Sequence, residues 1–290
     1  AGPWLEELRA VAQSAKVQGA ELLLTPELCV PGFHRLGREG FADAPADVEA
    51  KLCALAREVR LALCVGYAEK RGSEADDFWN TAVLVDSAGD LRLRYRKHHL
   101  WGNEGGLGLV ASDEDLRAAE LRLDGPAGPC AVRVGILICY DVEFPEMARI
   151  LSCEPHGVDL LLVPTALPYT EPNAATRIVP ARAMENRIFV AYCNYPCVPR
   201  VDGEYFCGHS CVAGPGAEFV AGPCGWDEER VVVCSVGWSE HTRWLAQETP
   251  YLKDRRPDFY RRQGLCQRAS SEGAEPACHD CDGDGGRDGK

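Results

Sequence analysis

Val132-Arg133-Val134-Gly135-Ile136-Leu137-Ile138-Cys139-Tyr140-Asp141-Val142-Glu143-Phe144-Pro145-Glu146 is the stretch on which the fold turns. Residues 132–138 are almost continuously apolar, the pattern of a strand buried on both faces. Residues 143–151 then take helical spacing, with Pro145 in the first turn, where its missing N–H is tolerated. A second apolar run, 160–163, ends at Pro164. Strand, short polar turn, helix and buried strand in this order predict an α/β fold.

The pattern extends in both directions. Leu5, Leu8, Val11, Ala12 and Ala15 fall at helical spacing, and Gly19 follows as a stop. Residues 22–24 read as a short buried strand ending at Thr25-Pro26-Glu27, residues 47–60 as a helix and 61–65 as a strand. Val83 and Val85, the turn Ser87-Ala88-Gly89-Asp90, then Leu91, Leu93 and Tyr95 alternate as a β-hairpin that delivers the chain to Arg96-Lys97. Downstream, 181–187 looks helical, and 188–193, 210–212, 218–221 and 231–236 look like strands. Early alternation followed by a late run of strands predicts sheets covered by helices. From about Gln267 the chain turns to Gly, Asp, Glu and Ser, so a domain over 1–266 and a disordered tail over 267–290 are expected.

Composition removes several functions. Lys+Arg 31 against Asp+Glu 44 leaves a net charge of −13 over 290 residues, which argues against a general nucleic-acid binder. No window approaches the ~18 apolar residues of a membrane span. Residues 1–20 lack the basic start and compact apolar core of a signal peptide. The 15 cysteines are scattered through apolar runs, so most are expected to be buried free thiols, and an odd total favours a reduced, cytoplasmic setting. Cys278 and Cys281 form a single CxxC around His279, a weak metal signal, and no metal site is expected.

Three polar residues sit just past strand-like segments: Glu27, Lys97 and Cys139. Such positions often hold catalytic groups, because the scaffold is rigid and the loop is open. A thiol between a strand and a helix N-terminus is expected to have a lowered pKa and an exposed position. Read alone, Cys139 is a buried core cysteine before it is anything else, as one of 15. None of the seven histidines is a compelling base for it.

The order Pro26-Glu27-Leu28, Tyr95-Arg96-Lys97-His98-His99-Leu100 and Ile138-Cys139-Tyr140-Asp141-Val142-Glu143-Phe144-Pro145-Glu146 resembles the nitrilase (carbon–nitrogen hydrolase) superfamily. Val163-Pro164-Thr165-Ala166, Val179-Pro180-Ala181-Arg182-Ala183-Met184-Glu185-Asn186 and Pro250-Tyr251-Leu252-Lys253-Asp254-Arg255-Arg256-Pro257 extend the likeness over about residues 1–262. The resemblance implies a four-layer αββα sandwich and a cofactor-free, metal-free mechanism. It implies that Glu27 is general base, Lys97 the oxyanion stabiliser and Cys139 the nucleophile, with the Tyr140 N–H as a second oxyanion donor. A second glutamate is usual shortly after the lysine. Glu104 is the nearby acid, although gapless comparison puts Gly105 at the expected place.

Tyr140-Asp141 after the cysteine is similar to the amidase branches, where nitrile-hydrolysing members usually have Trp-Glu. The Val-Glu-Phe-Pro-Glu run is closest to stereoselective aliphatic amidases. Members that act on carboxylate-bearing amides often have arginine where this chain has Glu143. A small neutral or amine-bearing amide is therefore the expected substrate. An N-carbamoyl substrate, a nitrile, or a catalytically impaired chain acting as a binding subunit are the alternatives. Trp101, Tyr169 and Phe33 are candidate pocket residues, and Arg182, Glu185 and Asn186 candidate supports. The arm at 250–262 implies a homodimer. The family begins with a strand before its first helix, whereas this chain enters at the helix, so the first strand is expected to be lacking and an organelle-targeting segment stays open.

Overall fold

The computed structural model describes residues 3–35, 45–72, 77–125, 128–197, 205–237 and 240–265. The expected tail at 267–290, with Cys278 and Cys281, lies outside the described residues. Two helices come early: α1 (Pro3–Val17) and α2 (Pro45–Val59). One sheet contains β1 (Leu22–Leu24), β2 (Ala62–Lys70), β3 (Phe78–Val85) and β4 (Leu91–Arg96) in that order, with β5 (Leu109–Val110) also pairing β3. The other contains β6 (Ala118–Gly125), β7 (Gly128–Ile136), β8 (Leu160–Pro164), β9 (Phe189–Cys193), β10 (Cys211–Ala213) and β11 (Phe219–Ala221), again in chain order. In it β7, β8 and β9 run parallel, with α3 (Pro145–Ser152) and α4 (Val179–Asn186) as their crossovers.

Strand periodicity builds the layers. Along β2, Leu63, Val65 and Tyr67 join Leu5, Leu8, Ala12, Leu52 and Leu55 of α1 and α2 in one cluster. The alternate residues Ala62 and Cys64 join Val134, Ile136 and Leu161 of the second sheet in another. That second cluster continues through Met147, Ala148 and Leu151 of α3 and Val179 and Ala183 of α4. Helices, sheet, sheet and helices thus form the αββα sandwich. Each fully buried leucine contributes about 1.5–3 kcal/mol. No helix among the described residues is long and apolar enough to cross a membrane. The chain falls into two units, Ala1–Lys253 and Asp254–Lys290, the second containing a short helix, Pro257–Arg262.

Two expectations change. The run 231–236 is not a strand: Val232, Val233 and Val236 are exposed, and only Val231 packs, half-buried, on the α1/α2 cluster. β-propensity alone does not make a strand without a neighbour to complete the hydrogen-bond ladder. The strand β6 was unforeseen, although Glu120-Leu121-Arg122-Leu123-Asp124 alternates cleanly and its Leu121 is buried. The described cysteines are free thiols, but burial divides them. Cys64, Cys139, Cys207, Cys211 and Cys224 are buried, Cys130 is exposed, and the rest lie between.

Close backbone approach fixes the entry to the site. A Cβ at Gly66 on β2 would lie 2.8 Å from Leu28 N and 2.9 Å from the Pro26 carbonyl oxygen, on either side of Glu27. Gly66→Ala is therefore expected to cost about 1–3 kcal/mol by overpacking. Urea unfolding checks this, and an unchanged midpoint would contradict the close approach.

Candidate active site

Glu27 follows β1, Lys97 follows β4 and Cys139 follows β7, so the sandwich carries three strand ends to one place. The first is pinned between the sheets: Thr25 N–H donates to the Cys64 carbonyl (3.0 Å) and Glu27 N–H to the Thr165 carbonyl (3.2 Å). The second is held by Lys97 N–H to the Asn80 carbonyl (2.8 Å). At the third, Cys139 takes a left-handed backbone (φ 48°), an uncommon conformation for a residue with a Cβ, at the sharp turn where the strand stops.

The Lys97 ammonium is fully buried. It donates to Glu27 Oε1 at 2.7 Å and to Glu104 Oε1 and Oε2 at 2.8 and 3.0 Å. Burial pulls its pKa down, but Glu27 and Glu104 together overcome that and hold it well above the ordinary lysine value. Glu104 sits in the turn 101–104, where Trp101 N–H donates to its Oε2 at 3.0 Å. Its pKa is raised by burial, against the pull of Lys97. Glu27 Oε1 also accepts from Asn80 Nδ2 at 2.6 Å. Glu27 Oε2 is buried and has no hydrogen-bond partner among the described residues.

Cys139 is buried beside this cluster. Desolvation, then the Glu27 charge, push its thiol pKa well up, and Lys97 and a hydrogen bond from the Ala166 backbone only partly oppose them. This reverses the lowered, exposed thiol expected from the strand–helix junction. The short turn Cys139–Glu143 lacks the aligned dipoles of a long helix, and its surroundings are dry.

One buried carboxylate ties the turn at Cys139 to the lysine strand. Asp141 accepts from Tyr95 Oη (2.7 Å), His99 N–H (2.8 Å) and Ile138 N–H (3.3 Å), and faces His99 Nδ1 at 2.8 Å. His99 stacks on Phe144 with ring centroids 3.9 Å apart. From the other side, Arg182 of α4 donates to the Val142 and Glu143 carbonyls at 2.9 and 2.6 Å and to Glu185 at 3.1 Å. Asn186 caps back onto the Arg182 carbonyl at 2.9 Å.

Of the residues singled out in the sequence, Glu27, Lys97, Glu104 and Cys139 come together. A cleft over Cys139 and Glu104 is lined by Phe33, Trp101, Tyr140 and Glu143. Tyr169 does not line it. Its ring is 59 % exposed and lies 5.9 Å from Trp226. Pro168 faces the cleft and forms a bridge to Phe206, so the next side chain points the other way. Asn80 and Glu171 were missed, whereas Tyr195, with Asn194, reads in the sequence as the end of a strand near the pocket. Tyr195 Oη donates to the Glu27 carbonyl at 2.8 Å. Asn80-Thr81 inside the apolar run of β3 was a readable signal, because buried polar residues in a strand need partners.

The carbon–nitrogen hydrolase family model matches residues 2–244, and this chain belongs to that family. It is therefore a hydrolase of carbon–nitrogen bonds. It is 33% identical over 259 residues to an (R)-stereoselective amidase of Pseudomonas sp., covering 86% of this chain and 84% of that protein. It is 30% identical over 257 residues to the 2-oxoglutaramate amidase of Paenarthrobacter nicotinovorans, covering 87% and 83%. The crystal structure of an amidase from Nesterenkonia sp. matches with a TM-score of 0.71 at 32% identity, covering 89% of each chain. That amidase has also been described with acrylamide added at its active-site cysteine and in complex with butyramide.

Two outcomes follow from the geometry. Asp141→Ala leaves Tyr95 and His99 without their buried acceptor and is expected to cost at least ~3 kcal/mol, read by chemical denaturation. A loss near zero would show that the clasp is not structural. With its pKa raised, Cys139 exposes little thiolate at neutral pH, so its alkylation by iodoacetamide should still be accelerating above about pH 9, as read by peptide mass spectrometry. A plateau well below that would place its pKa on the wrong side of the ordinary value.

Proposed function

We propose that the chain is an amidase that hydrolyses a small neutral or amine-bearing carboxamide to an acid and ammonia through a Cys139 thioester. The observation that carries this reading is the division of labour in Glu27. One oxygen is held by Lys97 and Asn80, while the other is buried without a partner. A buried carboxylate oxygen with an open lone pair beside a protonated thiol is a general base awaiting its proton.

In the first half-reaction Glu27 takes the Cys139 proton and the sulfur attacks the amide carbon. Negative charge then develops on the amide oxygen, where the Lys97 ammonium and the Tyr140 N–H act as donors. Glu27 returns the proton to the amide nitrogen as the C–N bond breaks, and ammonia leaves a thioester. In the second half-reaction Glu27 takes a proton from water, hydroxide attacks the thioester carbon, and the acid departs as the thiol is restored. Glu104 acts on the lysine and the substrate amide, keeping the ammonium aimed into the cleft.

The raised thiol pKa suits this scheme, because proton transfer to Glu27 accompanies attack and no free thiolate is needed beforehand. The Tyr140-Asp141 pair and the likeness to the Pseudomonas and Nesterenkonia amidases support an amide over a nitrile. Glu143 in the cleft argues against an acid-bearing amide of the kind named for the Paenarthrobacter relative.

Ammonia release from butyramide or a similar aliphatic amide is the test. Cys139→Ala should abolish it, while Lys97→Ala or Glu27→Gln should lower kcat by at least ~10²–10³. Mass spectrometry should show an acyl adduct on Cys139 that turns over. Turnover by the Cys139→Ala protein, or an acyl group on another residue, would overturn the mechanism.

A further inference from the structure

Two acidic residues share the mouth of the cleft. Glu143 ends the turn that begins at Cys139, and Arg182 grips its backbone carbonyl, so its position is tied to the nucleophile. Glu171 lies on the loop after β8, where its N–H closes a turn onto the Pro168 carbonyl at 3.1 Å. Both line the cleft that holds Cys139, and among the described residues no lysine, arginine or histidine lines it. Neither carboxylate has an ion-pair partner among the described residues. The two cations that act on Glu143 are committed elsewhere. Arg182 donates to Val142, Glu143 and Glu185, and Lys97 to Glu27 and Glu104.

The electrostatic consequence is one-sided. The deeper cluster already places two carboxylates against one ammonium. Two further carboxylates above it make the whole cleft negative. Glu143 feels this: burial first, and then the Glu171 charge, raise its pKa, with Arg182 and Lys97 opposing. Two like charges on a half-dry wall repel, and a cation bound between them removes that repulsion. The aromatic side chains Phe33, Trp101 and Tyr140 also line the same cleft, and aromatic rings are compatible with a bound cation.

We propose that Glu143 and Glu171 are the specificity determinants of the site and receive the ammonium group of the substrate, so that the preferred substrate is a small aliphatic amide carrying a cationic amine. This rests on the amidase reading and narrows it. The same charges turn away an amide carrying a carboxylate, which would enter a field of its own sign.

Three near-isosteric amides test it: γ-aminobutyramide (cation), valeramide (neutral) and glutaramate (anion). Wild-type kcat/KM should rank cation over neutral by about tenfold and neutral over anion by a similar factor. In the Glu143→Gln, Glu171→Gln double variant the cation-to-neutral ratio should fall toward one, and using the ratio cancels any general loss of activity. Raising the salt should erode the wild-type ratio in the same direction. Binding to Cys139→Ala protein, measured by calorimetry, separates the two levels of the claim. Tighter binding of γ-aminobutyramide than of valeramide, lost in the triple variant, upholds the acidic acceptor even if no amide is turned over, an outcome that would sink the amidase reading alone. Turnover of all three amides with no preference for the cation, or a preference unchanged by the double variant, would overturn the acceptor and leave the amidase standing.

Discussion

A lysine ammonium held out of water between two carboxylates is the constraint around which the rest is arranged. Lys97 is fully buried, and Glu27 and Glu104 take its hydrogen bonds at 2.7–3.0 Å. A buried charge tolerates neither the loss of a partner nor loose geometry, and breaking such a pair typically costs about 3–5 kcal/mol. The ends of β1 and β4 and the turn at 101–104 must therefore converge whenever the protein is folded. One ammonium against two carboxylates also leaves the site with excess negative charge. That excess adds to burial in raising the pKa of the Cys139 thiol.

The sandwich supplies the rigidity this cluster needs. Cys139 belongs to the second sheet and Lys97 to the first, so their relative placement depends on how the sheets meet. Asp141 joins them directly, since it sits two residues after Cys139 and accepts from Tyr95 and from His99, either side of the lysine. Arg182 secures the same turn from the helix layer. His99, one of the histidines that looked unsuited to act as bases, thus has a mechanical place against Asp141.

How much of this was legible depends on whether the signal was local. Glu27, Lys97 and Cys139 each follow an apolar run that reads as a strand, so their placement at strand ends was visible from patterning alone. Glu104 was harder, because a turn rich in glycine hides register; only the folded turn, closed by Trp101 N–H, shows its carboxylate reaching Lys97. Tyr169 was misplaced because which way a side chain points beside a bridge depends on the partner, Phe206, far away in sequence. The run 231–236 failed for the same reason: its composition is that of a strand, but strand formation is decided by a neighbour. Glu171 carried no local signal at all, being one of many acidic residues until the loop places it opposite Glu143.

By itself, the sequence determined the alternation of strands and helices, the covering of sheets by helices, and which three side chains stand at the strand ends. Those properties follow from hydrophobic period and from turn chemistry, which act over a few residues. Only the tertiary structure decided the direction of the Cys139 pKa shift, the open oxygen of Glu27, the clasp at Asp141 and the acidic mouth of the cleft. Each depends on burial and on charges brought together across tens of residues. Desolvation and Coulomb energies are set by distance in space, and separation along the chain does not encode that distance.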